Sequence, residues 1–147
     1  MKNLLFILTV SLLFFACAET VEPEASLMVR VKYDYENDTY PVSEAIPVYI
    51  YKGLRLSTGD FTYVGDGVVM DGDGIEIMAT SSQSLSSGFV LFEGLEMDTY
   101  GVVLDLRESK LETSQRTAIN LSTYDGKGEM DMTVDIWPYD PWDLFNY

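Results

Sequence analysis

The chain has 147 residues, with 24 Asp plus Glu against 9 Lys plus Arg, a formal charge of −15, one Cys and no His. Without His, the commonest general base and transition-metal ligand is missing, and a single Cys builds neither an internal disulfide nor a thiolate metal cage. The acidic balance argues against nucleic acid as a partner, while a hydrophobic content of 47% is too high for a disordered acidic tail.

The N-terminus carries an address. Lys2 precedes the apolar run Leu4–Ala16, thirteen residues broken only by Thr9 and Ser11. Crossing a bilayer core takes ~20 apolar residues, so the run is too short for a stable span, and its charged-then-apolar order is that of a secretory signal. The Phe14-Phe15-Ala16-Cys17 that closes it resembles the lipobox of bacterial lipoproteins. The resemblance implies cleavage after Ala16, a diacylglyceryl thioether on Cys17 and acylation of the new amino group. An ordinary signal peptide cleaved after Ala18 is the alternative. One acyl chain alone gives marginal membrane binding and two or more hold, so a lipidated Cys17 implies a domain tethered to the membrane rather than spanning it. Residues 1–16 therefore read as signal peptide, 17–26 as lipidated Cys and acidic linker, 27–137 as the folded domain and 138–147 as an aromatic tail. Glu19, Glu22 and Glu24 loosely resemble the acidic signal with which some diderm bacteria export lipoproteins to the cell surface. That favours the outer face of the outer membrane, with a plain solvated spacer on the periplasmic face as the other reading.

From Leu27 onward the hydrophobic period is two, the signature of half-buried strands. Leu27, Val29, Val31, Tyr33 and Tyr35 share one face; Arg30, Lys32 and Asp34 share the other, with Met28 as the exception. Pro41 and Pro47 bracket a turn, and Ile46–Lys52 gives a second strand with Tyr49 and Tyr51 opposite Ile46, Val48 and Ile50. Short apolar pieces follow at Phe61–Val64 and Val68–Met70, separated by the turns Gly65-Asp66-Gly67 and Asp71-Gly72-Asp73-Gly74. Ile75–Ala79 alternates again, and Thr80–Gly88 reads as a polar Ser-rich loop. Phe89–Phe92 and Tyr100–Leu106 are further strands around a turn at Gly94–Thr99. Leu106–Thr117 has helix formers but no apolar stripe. Thr117–Thr123 and Met130–Ile136 alternate on either side of Asp125-Gly126-Lys127-Gly128, which predicts a closing hairpin. Seven or eight short strands with frequent turns predict an all-β fold, an antiparallel Greek-key β-sandwich.

The stretch Gly88–Leu104, Gly-Phe-Val-Leu-Phe-Glu-Gly-Leu-Glu-Met-Asp-Thr-Tyr-Gly-Val-Val-Leu, is similar to the glycine-strand-turn-Tyr pattern of transthyretin-like sandwich domains. Carboxypeptidase-regulatory-like and collagen-binding B-type modules carry that pattern, and Pro47-Val48-Tyr49-Ile50-Tyr51 fits the strand before it. The resemblance implies a sandwich used for binding or scaffolding, with no activity of its own. In collagen-binding B-type modules a first-strand Lys can crosslink to an Asn or Asp of the last strand beside a buried Glu. Lys32, Asp135, Asn120 and Glu93 are the positions to compare, but Lys32 alternates with the apolar face and no crosslink is expected.

Asp66, Asp71 and Asp73 could offer oxygens to Ca²⁺, yet no Glu follows at the twelfth position of an EF-hand loop, and Asp-Gly pairs are what tight turns use. No metal or other cofactor is expected. Ser and Thr lack a His to activate them, no Gly-x-Ser-x-Gly elbow occurs, and the carboxylates are scattered as on a solvated surface. Aromatics are the surplus: Tyr49, Tyr51 and Tyr63 as a stripe on one sheet face, and Trp137, Tyr139, Trp142 and Phe145 in the tail. Such side chains serve the domain's own packing, a protein partner or a sugar ring. The sequence thus predicts a non-enzymatic outer-membrane lipoprotein, an accessory or interaction subunit of a cell-envelope complex. A surface glycan-binding lipoprotein serving nutrient uptake is the alternative, and an adhesin would require an unpaired strand groove.

Overall fold

The computed structural model describes residues 24–35, 38–56, 60–107, 115–121 and 126–134. Cys17, the signal segment, Asp135 and the tail aromatics Trp137, Tyr139, Trp142 and Phe145 lie outside the described residues. Eleven strands run in chain order: β1 (Ala25–Tyr35), β2 (Asp38–Pro41), β3 (Pro47–Lys52), β4 (Phe61–Gly65), β5 (Val68–Asp71), β6 (Glu76–Met78), β7 (Ser81–Ser84), β8 (Phe89–Leu95), β9 (Thr99–Leu104), β10 (Gln115–Asn120) and β11 (Lys127–Val134). The described residues contain no α-helix.

β1 is the spine of the first sheet. β11 lies along one edge of it in parallel, Val29 opposite Met130 and Val31 opposite Met132. Along the other edge β8 pairs with the first half of β1 and β2 with the second half, both antiparallel. The second sheet has the order β10-β9-β3-β7, and β4-β5-β6 form a third, three-stranded meander. The meander is an excursion between β3 and β7, which are neighbours in the second sheet. It lies over the outer face of that sheet, so the domain has three layers.

The alternation in sequence assigns each face. Leu27, Val29, Val31, Met132 and Val134 of the first sheet meet Val48, Ile50, Val102 and Leu104 of the second in one large buried cluster. Removing an aliphatic side chain of this size from water contributes about 1.5–3 kcal/mol, so this layer contact dominates stability. The opposite faces of β3 and β9 present Tyr51 and Val103 to Val69 of the meander in a second, smaller cluster, with Leu56 alongside. Position 66 shows why the meander turns where it does. Asp66 (φ 50°) and Gly67 (φ 76°) are both left-handed between the paired Gly65 and Val68, the geometry that Asp-Gly supplies in a two-residue hairpin.

The all-β sandwich agrees with the period-two reading, with three corrections. β10 and β11 are not a hairpin: β10 pairs with β9 in the second sheet and β11 with β1 in the first. The connection through Gly126 (φ 64°) carries the chain from one sheet to the other, and the Ser26 N–H donates to the Gly126 carbonyl at 2.7 Å. Because β1 and β11 run parallel, the sandwich is not purely antiparallel. The described residues also hold eleven strands rather than seven or eight, since Asp38–Pro41 and the Ser-rich Ser81–Ser84 are strands too. Ser81–Ser84 has low strand propensity, but on the edge of the second sheet it needs only backbone bonds to β3 and leaves most of its hydroxyls in water.

Candidate functional site

Three regions of the described residues stand out as candidate sites. The first lies between the second sheet and the meander. Tyr49 and Tyr51 of β3 and Tyr63 of β4 do come together, but across the interface between the second sheet and the meander rather than as a stripe on one sheet face. Tyr51 is 1% exposed, and the half-buried Tyr49 and Tyr63 have ring centroids 6.2 Å apart. Burial pushes the Tyr51 and Tyr63 hydroxyls well above the ordinary phenol range.

At the end of β9 this stripe meets Asp105, a charged side chain only 6% exposed. Its Oδ1 accepts from the Arg107 backbone N–H at 3.1 Å and from Arg107 Nε at 2.9 Å. Its Oδ2 accepts from Arg107 Nη2 and from the Tyr63 hydroxyl, both at 2.8 Å. A carboxylate has about four lone-pair sites, and all are used. The Arg107 hydrogen bonds hold the Asp105 carboxyl below its usual range, against the opposing effect of burial.

Arg107 extends the arrangement into the meander. Its guanidinium lies 5.0 Å from the Tyr63 ring centroid, a cation–π contact, and Nη1 donates to the Val64 carbonyl at 3.2 Å. Gly65 makes room for it: a Cβ there would sit 2.1 Å from Arg107 Nη1. The Tyr63 hydroxyl also accepts from the Gly67 N–H at 3.1 Å. This closed set is a latch holding the β4–β5 turn to the second sheet, with every acceptor of Asp105 engaged. Sequence reasoning missed it; the available signal was an Asp directly after the apolar run Val102–Leu104.

The acidic turn residues do not converge. Asp66 faces Arg107 at 3.5 Å, whereas Asp71 Oδ1 accepts from the N–H groups of Asp73 at 3.0 Å and Ile75 at 2.8 Å. Among the described residues no group of three acidic, His or Cys side chains could hold a metal ion. Lys32 points outward to Asp131 at 3.5 Å, and Glu93 is exposed.

The second surface is the outer face of the meander. Val64 and Met78 alternate with Tyr63 and Ile77, which pack inward, and therefore point away from the second sheet. They are 49% and 74% exposed, and the adjoining Ile75 is 60% exposed. The sequence analysis did not single out this patch, because three short strands at this density give no sign of which face is covered.

The third surface is a groove of about 300 Å³ where β2 and β8 meet end to end along β1. Met28, Pro41 and Phe89 give it an apolar lining, with Arg30 and Lys32 beside them. Backbone bonds close the seam: Val31 N–H donates to Gly88 O at 2.8 Å and Val42 N–H to Val31 O at 3.0 Å. Gly88 is needed at this close approach, since a Cβ there would lie 2.6 Å from the Pro41 Cβ.

No family model matches the chain, and no curated protein sequence matches it. Among solved structures it is similar to GBS52, the minor pilin of Streptococcus agalactiae, with a TM-score of 0.52 and 14% identity over 80% of this chain. The match spans 46% of that protein, under half its length. The chain is also similar to the Corynebacterium diphtheriae SpaA pilin in its signal-peptide complex, at a TM-score of 0.49 and 10% identity over 76% of this chain and 97% of that one. For the major pilin SpaD of C. diphtheriae the TM-score is 0.41 and the identity 11%, over 78% of this chain and 32% of that one. At these identities the likeness is one of fold, and the first match supports the all-β sandwich.

Proposed function

We propose that this chain is a non-enzymatic subunit of a cell-envelope complex, anchored in the outer membrane by acyl chains on Cys17 and displayed toward the cell exterior. One observation carries the binding half of the reading: Val64, Ile75 and Met78 expose large apolar side chains on the meander of a molecule whose formal charge is −15. Apolar patches of this kind mark contact surfaces, and Met adapts readily to a partner's shape. The latch at Asp105 supports the same reading, because the one buried charge among the described residues is consumed in holding the meander in place. The sandwich likeness to a minor pilin fits a structural role. The glycan alternative loses the Tyr49–Tyr51–Tyr63 platform, because these side chains pack together between the second sheet and the meander.

Two measurements test the proposal. Metabolic labelling with a fatty-acid analogue is expected to mark the intact chain and not Cys17→Ser, which should also leave the membrane fraction; label that survives the substitution overturns the anchor. A crosslinked pull-down from solubilised envelopes is expected to recover a discrete envelope protein with the intact chain and to lose it with Ile75→Glu/Met78→Glu. Equal recovery by both would overturn the assignment of this face. Retardation by polysaccharide in a native gel, with no protein recovered, would favour the glycan reading.

A further inference from the structure

The register of the meander orders its outer face. Tyr63, Val69 and Ile77 pack inward against the second sheet. Period two therefore turns Thr62 and Val64 of β4, Val68 and Met70 of β5, and Glu76 and Met78 of β6 outward. Val68 lies opposite Met78 on one side and Gly65 on the other, with Val64 at the bulge beside it; Met70 lies between Thr62 and Glu76. Directly opposed Cβ atoms stand about 4.5–5.5 Å apart, so Val64, Val68 and Met78 make an apolar row across three strands, with Met70 next to it.

This row is framed by carboxylates. Residues 60–79 hold Asp60, Asp66, Asp71, Asp73 and Glu76 and no Lys or Arg. Asp66 stands in the turn at one end, Asp73 in the turn at the other, and Glu76 on the face itself. On the first sheet, Glu129 and Asp131 are answered by Arg30 and Lys32. On the meander, Asp66 meets Arg107 at 3.5 Å, whereas Asp60, Asp73 and Glu76 meet no cation among the described residues. A second copy does not answer such a face, because two bodies of formal charge −15 repel, and an anionic lipid surface is repelled in the same way.

We propose that the outer face of the meander docks a protein whose contact surface sets Lys or Arg side chains around an apolar centre. The partner's apolar side chains cover Val64, Val68 and Met78, and its cations sit against Asp73 and Glu76. An apolar centre with a charged rim gives a contact both its affinity and its choice of partner. This partner chemistry rests on the reading of the meander as the contact surface.

A synthetic octapeptide alternating Lys and Leu serves as the probe, with Glu–Leu and Lys–Ser octapeptides beside it. In methyl NMR of the full chain in zwitterionic detergent, the Lys–Leu peptide is expected to shift Val64, Val68, Met70 and Met78 and to leave Met28 on the first sheet unmoved. The Lys–Ser peptide is expected to bind the intact chain at least about fivefold more weakly, as is the Lys–Leu peptide to Asp73→Asn/Glu76→Gln or to the intact chain in about 0.5 M salt. An unchanged Val69 methyl signal in the free variant shows that its meander is still folded. Equal shifts from the Glu–Leu and Lys–Leu peptides, or equal binding by the variant, would overturn the cationic partner and leave the contact face standing. Shifts as large at Met28 as at Met78, or none with any peptide, would also overturn it. The contact face itself is judged separately, by loss of the envelope protein with Ile75→Glu/Met78→Glu.

Discussion

Asp105 shows how one residue can set the position of a whole layer. Four hydrogen bonds converge on its carboxylate, three of them from Arg107, and together they pin the meander to the second sheet. Hydrogen bonds to a charged group contribute about 1.5–3 kcal/mol net, so Asp105→Ala is expected to cost about 2 kcal/mol or more. The pH dependence has a definite sign. Arg107 lowers the folded-state value of Asp105, so on acidification the unfolded chain takes up this proton first. The latch contributes fully above the ordinary carboxylate range and is lost as pH falls through the folded value. Melting temperatures of the wild type and Asp105→Asn are therefore expected to differ most near neutrality and to converge below about pH 4. A gap independent of pH would show that the carboxylate's charge plays no part.

At the scale of the strand, period two decides what each position is worth. Val29 and Arg30 are neighbours on β1, one inside the main cluster and the other paired with Glu129 on the outer face. Val29→Ala is expected to cost about 2–3 kcal/mol from lost burial and a residual cavity. Arg30→Ala should move the urea midpoint far less, and 1 M salt should erase most of that change, because an exposed ion pair is screened. Similar effects from the two substitutions would overturn the face assignment. The same periodicity made β1, β3, β10 and β11 legible in sequence, β9 was legible as an apolar run, and the Asp66-Gly67 and Asp71–Gly74 turns were legible from turn chemistry. Partner choice was not. Thr117–Thr123 and Met130–Ile136 alternate equally well as a hairpin or as members of two sheets, and only the packing of Met130 and Met132 beside Val29 and Val31 separates the alternatives. Ser81–Ser84 was unreadable because an edge strand held by backbone bonds needs no apolar signature. Tyr49 and Tyr51 share a face of β3 as read, but Tyr63 belongs to the meander that covers them and not to the same sheet face, because three short strands fold back over the sheet, a tertiary event with no local code.

For the molecule as a whole, the two interlayer clusters differ in size, and stability should follow. The contact between the first and second sheets buries many large side chains, whereas the meander contributes Val69 as its one fully buried residue to the smaller cluster. Local opening is easiest where apolar contact is thinnest. Native-state hydrogen exchange is therefore expected to reach Val69 and Met70 well before Val29 and Val31, with Asp105→Ala widening the difference. Simultaneous exchange of both regions would mean that the three layers open as a single cooperative unit.

The parallel pairing of β1 with β11 has a mechanical consequence. β1 begins beside Lys127 and β11 finishes beside Tyr33, so the segments leading in and out leave from opposite poles of the sandwich. If the body is held at its amino-terminal side and pulled from the carboxyl-terminal side, these adjacent strands slide past each other lengthwise. The rungs between them then bear the load in shear, all at once, instead of unzipping one after another from an end. A body wired in this way resists a pull applied across its two poles better than one whose terminal strands peel apart.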